Sequence, residues 1–288
     1  MAESGLVVVD KPAGITSHDV VARVRRLAGT RKVGHAGTLD PMATGVLVLG
    51  VERATRLLGH LLATDKSYDG TIRLGSATTT DDAEGDVVST GSVAGVGEAD
   101  VRSALAGYVG DIEQVPTAVS AIKVDGKRAY QRVREGEDVQ LEARPVTIHE
   151  LVVKEVRVVE DFLDVDISMR CSSGTYVRAV ARDLGAQLGC GGHLTALRRT
   201  AVGPYGLDVA RTLDQLGEEF AVLPLATAAR AAFPSLDLDE EQAQAVRYGR
   251  PLSLALDDLT GLFAPDGTFL ALYRSRGGLA KPVAVFVG

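Results

Sequence analysis

The part of the sequence best suited to chemistry is a glycine-rich loop with one aspartate near its centre, residues 33–47, VGHAGTLDPMATGVL. Its three glycines permit tight backbone turns, and Pro41 forces Asp40 into an extended or turn geometry. The apolar run after Gly45 predicts a buried strand that anchors the loop to a sheet. Such a loop presents the Asp40 carboxylate rather than burying it. An isolated Asp-Pro pair is also typical of a turn in which the carboxylate caps its own backbone.

Sequence motifs for cofactor binding are absent. The chain has no Gly-x-x-x-x-Gly-Lys-Ser/Thr loop, no Gly-x-Gly-x-x-Gly after a strand and no Gly-x-Ser-x-Gly elbow. Its five histidines show no i, i+4 pairing, and Cys171 and Cys190 lie too far apart for a Cys-x-x-Cys site. We therefore expect side chains alone to carry the chemistry, without a cofactor or a metal.

Composition places the chain among ordinary folded proteins. It has 288 residues, of which 45% are hydrophobic and 24% charged, so a disordered, collagen-like or disulfide-scaffold chain is excluded. No apolar run approaches the roughly 18 residues of a membrane span, and the first residues lack the basic start of a signal peptide. These features predict a cytoplasmic protein with no membrane partner.

Charge is segregated along the chain. The net charge of -7 counts against a nucleic-acid partner, yet residues 1–60 carry +3, residues 170–211 carry +4 and the last sixteen residues carry +3. Residues 69–118 and 212–272 carry -7 each. If the positive segments converge, they form a basic face that suits an anionic polymer. The alternative is that these blocks are merely solvated faces.

Hydrophobic periodicity predicts the elements that position the loop. Val20, Val21, Val24 and Leu27 recur at helical spacing, with Ser17 as the expected N-cap and Gly29 as the end of the helix. The irregular alternation of strands and helices favours a mixed sheet over a doubly wound parallel one. The predicted strands cover 5–11, 45–51, 66–74, 146–159 and 162–171, and the predicted helices cover 54–63, 98–108, 127–134, 175–188 and 240–248.

Six segments in order resemble one known family. They are 11–17 (KPAGITS), the Asp40 loop, 66–68 (KSY), 120–130 (SAIKVDGKRAY), 171–178 (CSSGTYVR) and 192–200 (GHLTALRRT). Together they resemble the bacterial tRNA pseudouridine-55 synthases, the TruB family. The matches span about residues 5 to 205, and six ordered segments are far more specific than any one of them.

The resemblance implies a fold and an activity. The implied fold is α+β, with a mixed, largely antiparallel sheet of the pseudouridine-synthase type flanked by helices. A catalytic domain over 1–229 and a small β-rich, PUA-like RNA-binding domain over 230–288 are expected. The implied activity is isomerisation of one T-loop uridine of tRNA, at position 55, to pseudouridine without a cofactor. The implied partner is the T loop and stem of tRNA, and nothing calls for a protein partner or more than a monomer.

The resemblance also implies catalytic roles. Asp40 would be the nucleophile, attacking either C1′ of the ribose or C6 of the base; the sequence does not separate these routes. Burial raises the pKa of a carboxyl group, so Arg178, which cannot deprotonate, would keep Asp40 charged. Tyr68 would lie beside the uracil, stacking on it and serving proton transfer at C5.

Substrate-binding roles follow by family position. The target base must leave its stack, and His35 is the candidate to occupy the vacated space. Tyr176 and Leu197 are expected in the pocket wall, Tyr176 with core packing as the equal alternative. The expected phosphate contacts are Lys11, Lys123, Arg128, Arg198 and Arg199.

Two other functions remain open at this point. A non-catalytic protein that binds tRNA or helps it fold would share the basic residues but would not need Asp40. A glycosidase acting on a soluble sugar would normally need two carboxylates flanking the bond, and no acidic partner adjoins Asp40 in the loop.

Overall fold

A computed structural model describes residues 3–117, 123–124, 127–128 and 141–287, with the backbone alone at 123–124 and 127–128. The strands are β1 (Gly5–Lys11), β2 (Val33–His35), β3 (Thr44–Val51), β4 (Lys66–Leu74), β5 (Ser76–Thr78), β6 (Val87–Thr90), β7 (Gly110–Gln114), β8 (Lys123–Val124), β9 (Lys127–Arg128), β10 (Arg144–Val159), β11 (Phe162–Cys171), β12 (Gly192–Val202), β13 (Tyr205–Gly206), β14 (Leu223–Pro224), β15 (Ser235–Asp237), β16 (Thr260–Phe263), β17 (Phe269–Arg276) and β18 (Leu279–Val285). The helices are α1 (Ser17–Ala28), a 3₁₀ turn (Glu52–Arg56), α2 (Leu58–Leu61), α3 (Glu98–Ala106), α4 (Val177–Gln187), α5 (Leu213–Glu218), α6 (Leu225–Ala232) and α7 (Glu240–Arg247). The fold is α+β with largely antiparallel pairing and a β-rich C-terminal part, as predicted.

The first of two compact units comprises Met1–Asp40, Gly45–Leu62 and Val202–Gly288. Within it, β1 pairs antiparallel with β14 on one side and with β3 on the other, and β2 also pairs with β3. The Asp40 loop joins β2 to β3. Because both of these strands belong to one sheet, the loop is held at both ends.

The second compact unit comprises Pro41–Thr44 and Ala63–Ala201. Its strands run in the order β12-β4-β11-β10-β7. Strand β4 pairs with β11 without interruption, and the predicted strands β10 and β11 form a hairpin, in which Glu160 takes a positive φ of 57°. Helix α4 packs through an apolar face, since Val177, Val180 and Leu184 are all buried.

One hydrophobic core in the first unit draws on both ends of the chain. Leu6 and Val48 of the N-terminal strands pack in the same cluster as Phe263 and Phe286. The burial of aromatic side chains from the C-terminal strands stabilises β1 and β3 from one side. The domain division expected at residue 230 stays a prediction.

Two predicted helices differ in the structure. The predicted helix over 54–63 is a 3₁₀ turn followed by the single-turn helix α2. The predicted basic helix over 127–134 begins instead with strand β9, which pairs antiparallel with β8. Residues 129–134 lie outside the described part of the chain.

Candidate active site

The Asp40 loop is fastened to helix α1 by one hydroxyl group. Ser17 is 1% exposed, and its Oγ donates to the carbonyl of Leu39 (3.0 Å) and accepts from the Leu39 amide (2.9 Å). Leu39 is itself buried, whereas Asp40 is partly exposed. Ser17 therefore holds both backbone polar groups of Leu39, the residue directly before Asp40, and so fixes the backbone from which the Asp40 carboxylate extends.

Thr16, not Ser17, is the N-cap of helix α1. Its Oγ1 accepts from the amide of Asp19 (3.1 Å), and the Asp19 carboxylate accepts from the Thr16 amide (2.9 Å), which completes a capping box. The expectation that Ser17 caps the helix is wrong by one residue, because Ser17 is the first helical residue and its side chain turns to the loop. The helix ends at Gly29 in the left-handed conformation, as expected.

His35 lies at the end of β2, opposite Leu49 of β3. Its ring meets the ring of His18 edge-on, with 5.8 Å between the centroids. The residue is partly exposed at the start of the Asp40 loop. Its role in the vacated base position stays a prediction.

Lys11 is completely buried at the end of β1. Its ammonium donates to the carbonyls of Pro12 (2.9 Å) and Ile15 (2.8 Å), which fixes the turn that leads into helix α1. Burial and these two contacts favour a structural role for Lys11 over the phosphate contact that the sequence suggested.

Arg178 is a buried cation on helix α4. Its side chain is 6% exposed, and Nη1 lies 3.2 Å from Oδ2 of Asp82, whose side chain is 3% exposed. The same Nη1 donates to the carbonyl of Thr80 at 2.8 Å. Sequence reasoning missed Asp82, which lies in the acidic, Thr-rich loop between β5 and β6.

Arg182, one turn after Arg178, binds the same loop. Its Nη1 lies 3.2 Å from the carboxylate of Asp81, and its Nη2 donates to the carbonyl of Val115. Burial raises the pKa of the Asp81 carboxyl group, and the two arginines oppose that rise. Arg178 and Arg182, four residues apart, thus share a helix face that is directed at this loop.

Tyr176 precedes helix α4 and is held through its backbone. The side-chain amide of Gln114 donates to the Tyr176 carbonyl (3.0 Å) and accepts from the Tyr176 amide (2.8 Å). Gln114 is buried, whereas Tyr176 is partly exposed. This contact fixes the start of the helix that carries Arg178.

Tyr68 and Lys66 share one face of strand β4, because strand side chains alternate. Their exposed fractions are 8% and 7%. The Lys66 ammonium donates to the carbonyl of Thr64 (2.7 Å). Burial, with a smaller contribution from the nearby Arg199 charge, lowers the pKa of Lys66 to about 8. Burial also raises the pKa of the neighbouring Cys171 thiol to about 11, which makes it a poor nucleophile.

Strand β12 carries Leu197, Arg198 and Arg199. Leu197 is 9% exposed and Arg199 is 1% exposed. Nη1 of Arg198 donates to Oγ1 of Thr44 at 3.3 Å, so this arginine holds the residue at which the Asp40 loop enters β3. Arg198 is the more accessible of the two arginines and remains a candidate phosphate contact.

Lys123 and Arg128 are opposite each other in the register of the antiparallel β8–β9 pair. Their side chains lie outside the described part of the structure, so their predicted phosphate contacts stay predictions. Among the described residues, no three His, Cys, Asp or Glu side chains are grouped so as to hold a metal ion.

Comparison with known proteins assigns the chain to a family. Residues 25–177 match the model of the TruB family pseudouridylate synthase N-terminal domain, 178–228 that of the tRNA pseudouridylate synthase B C-terminal domain, and 233–287 that of the tRNA pseudouridine synthase II C-terminal domain. The chain belongs to the TruB family of pseudouridylate synthases.

Relatives in the TruB family match over nearly the whole chain. One is the tRNA pseudouridine synthase B of Arthrobacter sp. (strain FB24), 60% identical over 98% of this chain and 96% of the relative. Another, of the same name, is from Thermobifida fusca (strain YX), 58% identical over 99% of each chain.

Solved structures share the TruB-family fold. A Cbf5-Nop10-Gar1 complex matches with a TM-score of 0.73 at 25% identity, over 98% of this chain and 85% of the matched chain. An H/ACA RNP bound to a substrate RNA containing 2′-deoxyuridine matches with a TM-score of 0.75 at 23% identity, over 99% of this chain and 85% of the matched one. In the described part of the chain, no helix combines the length and the apolarity that crossing a bilayer requires.

Proposed function

We propose that this chain isomerises a uridine of tRNA to pseudouridine, at position 55 of the T loop. Relatives of up to 60% identity among those compared carry the name tRNA pseudouridine synthase B. The observation that carries the proposal is the Asp40 loop: a partly exposed carboxylate whose neighbour Leu39 is held by Ser17. A TruB-family chain with this loop presents a nucleophile rather than a mere turn residue.

The reaction replaces one bond between the uracil and the ribose with another. The N1–C1′ glycosidic bond breaks, the uracil turns, and a new bond joins C5 to C1′. C5 then sheds its proton and N1 gains one, so the product is an isomer of the substrate. Asp40 supplies the covalent step, by attack on C1′ or on C6. Arg178 supplies a permanent positive charge that favours the ionised carboxylate, and Tyr68 serves the proton transfer at C5.

RNA binding rests on a smaller set of cations than the sequence indicated. Arg198 takes a phosphate together with Lys123 and Arg128, whereas Lys11 and Arg199 are too deeply buried, at 0% and 1% exposed, to serve as phosphate contacts. His35 and Tyr176 contact the RNA near the displaced base, and Leu197 contributes apolar wall. The enzyme acts in the cytoplasm as a monomer without a protein partner.

Replacement of Asp40 tests the proposal. Asp40→Asn keeps the size of the side chain but removes the nucleophile, so product formation on unmodified tRNA falls by at least about 10⁴-fold. Binding of the tRNA stays within a few-fold of wild type. Pseudouridine is mapped by chemical labelling, and Asp208→Asn, at an exposed aspartate of the same unit, is the matched control. Undiminished product formation by Asp40→Asn refutes the catalytic role, and binding without product by the wild type favours the non-catalytic alternative.

A further inference from the structure

Gln114 carries a buried amide at the end of strand β7. The residue is 3% exposed, and its side chain donates to the Tyr176 carbonyl at 3.0 Å and accepts from the Tyr176 amide at 2.8 Å. Its own backbone pairs with Arg144 of β10 in the ladder of the sheet. The two bonds resemble the exchange that one residue pair makes in an antiparallel ladder, so the side chain extends the sheet to Tyr176.

Tyr176 is not the kind of residue that usually begins a helix. Elsewhere in the chain, the side chains of Thr16, Thr212 and Asp239 cap helices α1, α5 and α7 by accepting from an amide of the first turn. The phenol oxygen of a tyrosine lies too far from its own backbone to do this, and Tyr176 makes no such bond to α4. The start of α4 is therefore held by Gln114, a residue of a different element, instead of by its own cap.

The two bonds fix the direction of one side chain. The amide and the carbonyl of Tyr176 belong to the two planar peptide units that flank its Cα, so holding both of them fixes the Cα–Cβ bond. Tyr176 is partly exposed. Arg178 lies two residues further on and depends less on this contact, because Asp82 and the Thr80 carbonyl hold its guanidinium. The contact thus acts on the Tyr176 ring more directly than on the arginine.

A second contact keeps β7 and α4 in place relative to each other. Val115, the residue after Gln114, accepts through its carbonyl from Nη2 of Arg182 at 2.8 Å. Arg182 lies on the second turn of α4. Consecutive residues thus hold the start and the second turn of the helix, so the end of β7 and α4 cannot shift relative to each other without loss of these hydrogen bonds.

We propose that Gln114 is a positioning residue for the reaction: by holding both backbone groups of Tyr176, it sets the direction of a ring that lies against the RNA near the displaced base. The inference rests on the proposed function, in which Tyr176 contacts the RNA. Misplacement of this ring lowers the rate of the chemical step more than the affinity for tRNA, because the phosphate contacts come from other residues.

Removal of the two bonds gives the first test. Gln114→Met keeps the length of the side chain but neither donates nor accepts. We expect the single-turnover rate of tritium release from tRNA with [5-³H]uridine at position 55 to fall about tenfold, while the dissociation constant of the tRNA stays within about twofold. Gln187→Met, at the exposed last residue of α4, is the matched control and keeps the wild-type rate. Circular dichroism and urea unfolding establish the folded fraction, so that rates refer to folded protein. A wild-type rate in folded Gln114→Met overturns the inference.

Combination with Tyr176→Ala identifies the group through which Gln114 acts. Alanine keeps the backbone that Gln114 holds but removes the ring. In the Tyr176→Ala protein, Gln114→Met should therefore lower the rate by less than about twofold further. Losses that multiply would place the effect on another group, such as Arg178, and would overturn the inference.

Gln114→Glu makes the contact depend on pH. A protonated carboxyl group donates through its hydroxyl and accepts through its carbonyl, so it restores both bonds, whereas the ionised group only accepts. Burial at this position raises the pKa of the introduced carboxyl group above its usual value of about 4.3. The rate relative to wild type is then close to one at about pH 5.5 and falls about tenfold by about pH 9.

The pH series has its own controls. Gln114→Met stays low and Gln187→Glu stays at the wild-type rate at every pH. Because the protonated side chain keeps both bonds, Gln114→Glu at low pH also tests the inference if Gln114→Met does not fold. A ratio for Gln114→Glu that does not fall as pH rises overturns the inference. Absence of tritium release by the wild type instead refutes the proposed function.

Discussion

Nη1 of Arg178 lies 3.2 Å from Oδ2 of Asp82, and the two side chains are only 6% and 3% exposed. Asp82 also accepts from the Thr80 hydroxyl and from the amide of Glu84, so its carboxylate is well supplied with donors. The pair joins helix α4 to the loop between β5 and β6. The position of Arg178 therefore depends on a carboxylate from a different part of the chain.

Loss of the Asp82 charge should destabilise the protein. Asp82→Asn leaves Arg178 as a buried charge without its ionised partner, so we expect the free energy of unfolding to fall by about 3 kcal/mol. Urea unfolding measures this. Asp183→Asn is the control, because Asp183 pairs with Arg182 at a more exposed position and should cost less than about 1 kcal/mol. Equal losses in the two variants would contradict the prediction.

Ser17 should matter for activity more than for helix stability. Ser17→Ala releases both backbone groups of Leu39 next to Asp40, so we expect kcat to fall about tenfold through misplacement of the carboxylate. Thr16→Ala removes the cap of α1 and should cost about 1 kcal/mol of stability with kcat within twofold of wild type. Steady-state kinetics and thermal melts of both variants separate the effects. A Ser17→Ala enzyme with wild-type kcat would refute this role.

At Gly185 of helix α4, even the methyl side chain of alanine should not fit. A Cβ at Gly185 would lie 2.1 Å from the Gly192 amide nitrogen and 2.2 Å from the Gly191 carbonyl carbon. Glycine to alanine in a helix normally stabilises by about 1 kcal/mol, but here the backbone of β12 must move away. We expect Gly185→Ala to lower the melting temperature. Gly59→Ala in helix α2, where a Cβ meets no atom within 4 Å, should leave it unchanged or raise it.

Lys66 should make stability depend on pH. Its pKa of about 8 in the folded chain lies below its ordinary value of 10.5, chiefly because of burial. Between these values the unfolded chain binds the additional proton, so the stability of the wild type rises with pH across this window. The advantage of Lys66→Met over the wild type should shrink by up to about 3 kcal/mol from pH 7.5 to 10.5. A difference between the two proteins that does not change with pH would contradict this.

Many of the strands and helices were predictable, because the sequence patterns that indicate them are local. The alternation over Lys66–Leu74 and the apolar run over Gly5–Lys11 predicted β4 and β1 with the bounds that the structure has. The helix expected over 54–63 failed because tertiary packing divides that apolar stretch into two short turns. Composition at Lys127 and Arg128 favoured a helix, whereas in the structure both residues lie in strand β9 and pair with β8.

The candidate site was predictable only where a motif marks it. Asp40, Arg178 and Tyr68 came from motif resemblance, and their roles stay predictions. The role of Asp82 was not predicted, because nothing in its position in the sequence indicates that it pairs with an arginine on a distant helix. Ser17 was assigned to a local cap, since a hydroxyl before an apolar run has the same pattern whether it faces its own helix or a neighbouring loop.

The two hydrogen bonds of the Gln114 side-chain amide restrict which residues can replace it at the edge of the sheet. One side-chain group acts as donor to the Tyr176 carbonyl and as acceptor for its amide. A glutamate at this position would only accept, and a lysine would only donate, so each would leave one polar group of Tyr176 without its partner. An inconspicuous glutamine at the end of β7 is therefore as restricted in its permissible replacements as many residues that touch substrate, although it performs no chemistry itself.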